Sequence, residues 1–216
     1  MGPVLCLVTD RARCGGTDGL VELVRQAAAA GVHLVQVRER DLEANALCEL
    51  VRRCIDVVQG TRTRILVNDR FDVAVAAGAH GVHLPSYGVP ACRIRPIAPA
   101  GFLIGRSVHA VEEAAAVVHE GGIDFLVFGA VFPTESKPGF QPAGVELLRR
   151  VVDSVPVPVL AIGGVTTERF GMVAAAGAAG IAAIGLFADA GREHTNRLQM
   201  LAAQAALAFD TPSSVP

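Results

Sequence analysis

Two glycine turns near the end of the chain have the residue types that bind an anion. One is the Ala-Ile-Gly-Gly-Val segment that contains Gly163 and Gly164, and the other begins at Ile184 and Gly185. Glycine leaves backbone N–H groups uncovered, and the N-terminus of a following helix adds a dipole that favours phosphate. We therefore predict that Gly163, Gly164, Ile184 and Gly185 bind the phosphate group of a small molecule.

A second set of polar side chains follows other short apolar runs. His109 is the candidate catalytic residue, because a neutral imidazole can take up and return a proton near pH 7. His83, at the end of another apolar run, is left open between a structural and a functional role. Hydroxyl, amide and cationic groups can hold an anionic substrate through hydrogen bonds. The candidate substrate-binding residues are Arg38, Arg40, Asn68, Ser107, Thr134, Ser136 and Lys137.

Eight short runs rich in Val, Ile and Leu alternate with eight helical segments, and these elements must position the polar residues. The predicted strands are Val4–Val8, Leu34–Val37, Ile65–Val67, Gly81–His83, Leu103–Gly105, Phe125–Phe128, Val157–Ala161 and Gly180–Ile184. The predicted helices are Leu20–Ala30, Glu43–Val58, Phe71–Ala77, Ala91–Ile97, Val111–Glu120, Val145–Val152, Thr167–Ala176 and Glu193–Ala208. This repeat is typical of a parallel barrel, whose active site lies at the C-terminal ends of the strands.

The fold prediction is accordingly a single-domain α/β protein, a (β/α)8 TIM barrel over residues 1–209 with a disordered tail over residues 210–216. A doubly wound sheet is the alternative fold. Eight similar strand–helix units favour closure of the sheet into a barrel.

Composition and charge limit the classes of partner. The formal net charge is −2 without a basic run, so nucleic acid is not an expected partner. Residues 170–188 carry no charge but are mostly Ala and Gly, so we interpret them as a helix, a turn and a buried strand, and expect no membrane partner. Five cysteines without a Cys-x-x-Cys pair, and no signal-peptide pattern, predict reduced thiols and a cytoplasmic location.

Six motifs in order along the chain resemble one known family. They read Val-Gln-Val-Arg-Glu-Arg, Val-Asn-Asp, Gly-Val-His-Leu-Pro-Ser, Ile-Gly-Arg-Ser-Val-His, Phe-Gly-Ala-Val-Phe-Pro-Thr-Glu-Ser-Lys and Ala-Ile-Gly-Gly-Val. Over nearly its whole length the chain resembles the thiamine phosphate synthase and thiazole tautomerase family of (β/α)8 barrels. The resemblance implies a phosphorylated thiazole as the small-molecule partner. A homodimer is one arrangement open to such a chain.

The tautomerase branch of the family is the main functional expectation. Leu-Pro-Ser after the fourth strand and Gly-Arg-Ser-Val-His at the fifth are similar to that branch. The resemblance implies that His109 moves a proton on a non-aromatic carboxythiazole phosphate and so aromatises the ring, with no cofactor expected. Arg38, Arg40 or Lys137 would hold the substrate carboxylate.

The synthase branch is the alternative expectation. A synthase joins a pyrimidine diphosphate to a thiazole phosphate, expels pyrophosphate and requires Mg²⁺ for the leaving group. Asp69 matches one of the family's two metal-binding aspartates, while the second has no match, because Leu84-Pro85-Ser86-Tyr87-Gly88 follows His83. A non-catalytic protein that binds a thiazole or thiamine phosphate for regulation is the third expectation.

Overall fold

The computed structural model of the chain describes residues 2–134, 139, 141–193 and 195–210. Eight parallel strands form a closed barrel in which each strand pairs with its neighbours in sequence and β1 pairs with β8. The strands are β1 Val4–Val8, β2 Leu34–Val37, β3 Arg64–Asn68, β4 Gly81–Leu84, β5 Leu103–Val108, β6 Phe125–Gly129, β7 Val159–Ile162 and β8 Gly180–Ala183. The predicted (β/α)8 fold is therefore confirmed.

Helices connect the strands on the outside of the barrel. They are α1 Thr17–Ala29, α2 Ala44–Val57, α3 Phe71–Ala77, α4 Ala91–Ile94, α5 Val111–Glu120, α6 Gly144–Ser154, α7 Phe170–Ala175, α8 Gly185–Glu193 and α9 Thr195–Asp210. Short 3-10 helices cover Arg11–Cys14, Arg95–Ile97 and Thr167–Arg169. In the described part of the chain, no helix is both long and apolar enough to cross a bilayer, and residues 170–188 are divided among α7, β8 and α8.

The end of the chain differs from the prediction of one last helix over Glu193–Ala208. Two helices follow β8 instead, and the first, α8, begins at Gly185 directly after the strand. Gly185 and Gly191 each lower helix propensity by about 1 kcal/mol, which hid this helix in the sequence. Full burial of the Phe187 side chain supplies the packing that offsets this cost. The predicted tail beyond Asp210 lies outside the described residues.

Two apolar layers make up the core. Side chains that point into the barrel pack on one another, and they are Cys6, Val8, Leu34, Leu66, Phe125, Val127, Leu160 and Ala182. The alternate residues of the same strands pack outward against the helices. Because both faces of a parallel strand are buried, the strands are continuous apolar runs, which made them recognisable in the sequence.

At the N-terminal rim of the barrel, opposite to the predicted site, single side chains accept hydrogen bonds from backbone N–H groups of the strands. His33 Nδ1 accepts from the backbone N–H of Leu5, and His80 Nδ1 accepts from that of Ile65, at 3.2 and 3.0 Å. The carboxylate of Asp124 accepts from the N–H of Ile104 at 2.7 Å. These two histidines therefore have structural roles.

Closure of the barrel between β1 and β8 gives a test of the fold. A Cβ on Gly180 would lie 2.0 Å from the carbonyl oxygen of Val4, whereas a Cβ on Gly171 in α7 would meet nothing within 4 Å. Gly180→Ala should lower the free energy of unfolding by about 3 kcal/mol or more, because the clash must separate the paired strands. Gly171→Ala should raise it by about 0.5–1 kcal/mol through helix propensity. Chemical denaturation of both variants measures this, and equal stability of the two would contradict the described closure.

Candidate active site

The C-terminal ends of the strands surround a cavity of about 1050 Å³. The described members of the predicted substrate- and phosphate-binding set all line it, together with His109: Arg38, Arg40, Asn68, Ser107, Thr134, Gly163, Gly164, Ile184 and Gly185. Ser136 and Lys137 lie outside the described residues, and Asp69 is exposed and not part of the cavity wall. A cavity of this size is at or above the upper end of the usual range for small-molecule sites, about 300–1,000 Å³.

Four consecutive strands, β2 to β5, give the cavity floor a polar half. Each ends with one polar side chain on the wall of the cavity, and these side chains form two hydrogen-bonded pairs. Gln36 Nε2 donates to Asn68 Oδ1 at 3.1 Å, which leaves the Asn68 amide nitrogen as a donor toward a ligand. His83 Nε2 and Ser107 Oγ lie 2.9 Å apart. The other half of the floor is apolar, with Val8, Val127 and Ile162.

His83 is a neutral histidine at this floor. Its side chain is buried, and burial lowers its pKa to about 4, because a charged imidazole would lose its hydration there. The role that the sequence left open for His83 is therefore that of a hydrogen-bonding partner for Ser107, positioned by pairing of its strand with Gly105 of β5.

His109 lies at the edge of the cavity, immediately after β5. Its backbone N–H donates to the carboxylate of Glu113 at 2.6 Å, and its Nδ1 lies 2.5 Å from the carbonyl oxygen of Gly129. A carbonyl can only accept, so Nδ1 carries the hydrogen and a neutral His109 has its lone pair on Nε2. This fixed tautomer gives His109 a base at Nε2.

The fifth strand is longer than predicted, because Arg106 and Ser107 pair with Leu126 and Val127 of β6 rather than following the strand. Strand alternation then directs Ser107 into the cavity and Arg106 away from it. The Arg106 side chain is buried behind the wall.

Arg38 and Arg40 form the cationic side of the cavity, and a buried carboxylate between them fixes their backbone. Thr9 Oγ1 donates to the carboxylate of Glu39 at 2.6 Å and accepts from the N–H of Arg38 at 2.9 Å. Burial, followed by the nearby Arg40 cation, lowers the pKa of Arg38. Because β2 ends at Val37, these residues are on a loop rather than on an extended strand. A ligand anion between them would relieve the repulsion of the two guanidinium groups.

The two glycine turns form the other side, separated from the cationic side around the barrel by β1. Gly163 and Gly164 have φ values of 94° and 62°, and a Cβ on Gly164 would lie 2.2 Å from the carbonyl oxygen of Pro133. Gly185 is the first residue of α8 and lines the cavity together with Leu186, so this helix begins at the cavity mouth. Loops after strands 7 and 8 with the N-terminus of a short extra helix are the recurrent phosphate site of this fold.

Arg13 and Tyr87 are among the residues of the wall that sequence reasoning missed. Arg13, in the 3-10 helix after β1, has its Nη1 atom 3.5 Å from the position that a Cβ on Gly185 would take. It therefore adds a cation to the glycine side, together with two carboxylates: Asp10, 3.7 Å from the Arg13 Nε, and Asp189, whose Oδ2 is 3.6 Å from the same Cβ position. Its position after a strand end was the available signal, because every such loop in a parallel barrel reaches the same mouth.

The number and position of the carboxylates at the cavity mouth decide how this chain could coordinate Mg²⁺. In the described ranges, no three His, Cys, Asp or Glu residues cluster as metal ligands. Asp10 and Asp189 line the cavity, whereas Asp69, next to Asn68 at the end of β3, is an exposed carboxylate outside its wall. Mg²⁺ is commonly held by one or two carboxylates together with substrate phosphates. The donor set thus fits Mg²⁺ that arrives with a diphosphate, and it does not fit a site made of protein groups alone.

The fold and the site define a (β/α)8 barrel with a cavity at its C-terminal mouth. The sequence pattern of the family described as thiamine monophosphate synthase matches residues 5–187. A putative thiamine-phosphate synthase of Geobacter sulfurreducens is 44% identical over 181 residues, which are 83% of this chain and 84% of the relative. A putative thiamine-phosphate synthase 2 of Aquifex aeolicus is 35% identical, over 87% of this chain and 98% of that one.

The solved structure of a thiamine phosphate pyrophosphorylase from Pyrococcus furiosus superposes with a TM-score of 0.79 at 33% identity, covering 94% of this chain and 96% of that one. A 3-hexulose-6-phosphate synthase at 17% identity and a TM-score of 0.66 shares the fold alone. The chain belongs to the thiamine monophosphate synthase family, a family of thiamine biosynthesis. The family predicted from the motifs is therefore confirmed.

Burial of neutral His83 predicts a pH dependence of stability. The unfolded chain, with a pKa near 6.5, takes up a proton that the folded state does not bind until about pH 4. Stability from this group is therefore complete above pH 6.5 and is lost as the pH falls toward 4, by about 3 kcal/mol. Denaturant titrations at several pH values should show this loss in the wild type and a smaller one in His83→Gln. If the free energy of unfolding fell with pH to the same extent in both proteins, this would contradict a buried neutral His83.

Proposed function

We propose that this chain is a thiamine phosphate synthase, a transferase that joins a pyrimidine diphosphate to a thiazole phosphate and expels pyrophosphate. The two relatives described above carry thiamine-phosphate synthase names and the solved structure is a thiamine phosphate pyrophosphorylase, so the comparisons favour the synthase alternative over the tautomerase that the motifs indicated. The proposal also has support from the shape and chemistry of the cavity.

The observation that carries the proposal is that one cavity has two separate sides for anions. Gly163, Gly164 and Gly185, with Arg13, suit the monophosphate of a thiazole. Arg38 and Arg40 suit a second, more highly charged group such as a diphosphate. A volume of about 1050 Å³ has room for two ring systems and their phosphates.

The residues of the cavity would act mainly by positioning and by charge. The bond between the pyrimidine's methylene carbon and the diphosphate oxygen breaks, and the thiazole nitrogen takes the place of the diphosphate. Arg38, Arg40 and the Asn68 amide would bind the diphosphate and stabilise the negative charge that develops on it. The glycine turns would hold the thiazole phosphate so that its ring lies against the reacting carbon.

Mg²⁺, when it accompanies the diphosphate, would supply further neutralisation of the leaving group, with Asp69 as the protein carboxylate. Asp69→Asn should therefore raise the Mg²⁺ concentration needed for half-maximal pyrophosphate release. The measurement is a Mg²⁺ titration of wild type and variant, with Asp72→Asn as control, because Asp72 pairs with Arg70. Coincident Mg²⁺ curves for Asp69→Asn and wild type would remove Asp69 from this role.

Thiazole tautomerisation is the second candidate function, favoured by the geometry of His109. Its Nδ1–H is held by the Gly129 carbonyl, so that Nε2 could remove a ring proton and return it to the exocyclic carbon. His109→Ala should then lower tautomerisation by about 10²–10⁴-fold, because the base is lost. It should affect pyrophosphate release far less, because no role in that reaction requires a base at this position.

Two assays on the purified chain distinguish the candidates. One supplies the pyrimidine diphosphate and the aromatic thiazole phosphate with Mg²⁺ and measures pyrophosphate. The other supplies the non-aromatic carboxythiazole phosphate alone and follows aromatisation by absorbance. We expect pyrophosphate release in the first. Aromatisation without pyrophosphate would establish the tautomerase instead, and binding of thiazole phosphate without either reaction would establish the non-catalytic binder.

A further inference from the structure

Tyr87 is an aromatic side chain that is 79% exposed and yet belongs to the cavity wall. It lies on the loop between β4 and α4, at the rim of the polar half of the site. Aromatic side chains contribute most energy when they are covered, so a ring left open beside a cavity has its contact surface available to a ligand.

The loop that carries Tyr87 is fixed from behind by the buried guanidinium of Arg106. Arg106 donates to the carbonyl oxygens of Ser86, Gly88 and Val89, at 2.7, 3.2 and 3.0 Å. The acceptors belong to residues before and after Tyr87 in the sequence. Its backbone is consequently held while its side chain stays exposed.

Arg38 and Tyr87 both line this cavity, on the loops that follow β2 and β4. The phenol ring and the guanidinium therefore belong to one mouth, on either side of the end of β3. An aromatic face beside a cation suits a planar heteroaromatic ring that carries a phosphate or diphosphate.

We propose that Tyr87 is a specificity-determining residue that stacks on the pyrimidine ring of the diphosphate substrate, while Arg38 binds its phosphate end. Arg106 is then a positioning residue, which acts on the substrate through the loop that carries Tyr87. The inference rests on the proposed function for the identity of the ring, and it adds how that ring is recognised.

Calorimetric titration of the full chain tests this directly. Tyr87→Ala should weaken binding of the pyrimidine diphosphate by about tenfold or more, because the stacking surface is lost. Binding of inorganic pyrophosphate should not change, because Tyr87 contributes no charge to it. Tyr87→Phe should bind both as the wild type does. Val89→Ala is the matched control, since Val89 is also exposed on this loop and keeps its backbone carbonyl.

An independent readout comes from the composition of the chain, which has one tyrosine and no tryptophan. Tyrosine emission therefore reports on Tyr87 alone. We expect saturable quenching by the pyrimidine diphosphate at the concentrations that calorimetry gives for binding. In Arg106→Met, the KM for the pyrimidine diphosphate should rise while kcat stays near the wild-type value, because the loop loses its support but the reacting groups remain.

The outcomes separate the inference from the proposed function. Equal affinity of Tyr87→Ala and wild type for the pyrimidine diphosphate would overturn the inference, whether or not the chain releases pyrophosphate. Tyr87-dependent binding without pyrophosphate release would support the inference and overturn the synthase function. Failure of the wild type to bind the pyrimidine diphosphate would overturn both.

Discussion

Closure of the sheet between β1 and β8 is the constraint on which the site depends, because it brings all eight strand ends to one mouth. Pairing of Val4 with Gly180 at this seam allows the two backbones to approach as closely as they do. The loops after β1, β2, β7 and β8 then become neighbours around the cavity. Arg13 can reach Gly185, and Arg38 can share a cavity with Gly163, only because the first and last strands are adjacent.

Polar burial in this molecule is concentrated at the same end of the barrel. Of the six buried polar or charged residues in the described ranges, all but Thr63 lie at or near the strand ends that form the mouth: Thr9, Gln36, Glu39, His83 and Arg106. Each has hydrogen-bonding partners, which offset most of the cost of burial, while the buried Nε of Arg106 has no partner among the described residues. These groups hold residues that line the cavity, which is the arrangement expected where function outweighs stability.

Much of this architecture could be predicted from the sequence, since buried parallel strands are apolar runs and the turns that end them carry glycine or polar residues. The cavity-lining glycines Gly163, Gly164 and Gly185, and His109, were placed at strand ends in this way. What the sequence could not supply was register. Arg106 and Ser107 resemble the start of a loop, and only pairing with β6 shows that they continue β5 and point in opposite directions. Tyr87 was missed because this register also directs the Arg106 side chain, and the buried Arg106 side chain holds the loop that carries Tyr87.

A chain that acts as the proposed synthase binds two anions on separate sides of one cavity at the same time. The most direct test is calorimetric titration of pyrophosphate into the chain, with and without saturating aromatic thiazole phosphate. We expect thiazole phosphate to leave the Kd for pyrophosphate unchanged within about threefold, because Arg38 and Arg40 are distinct from the glycine turns. A Kd that rises in proportion to the thiazole phosphate concentration would mean that both ligands compete for one anion site, and it would contradict binding on two separate sides.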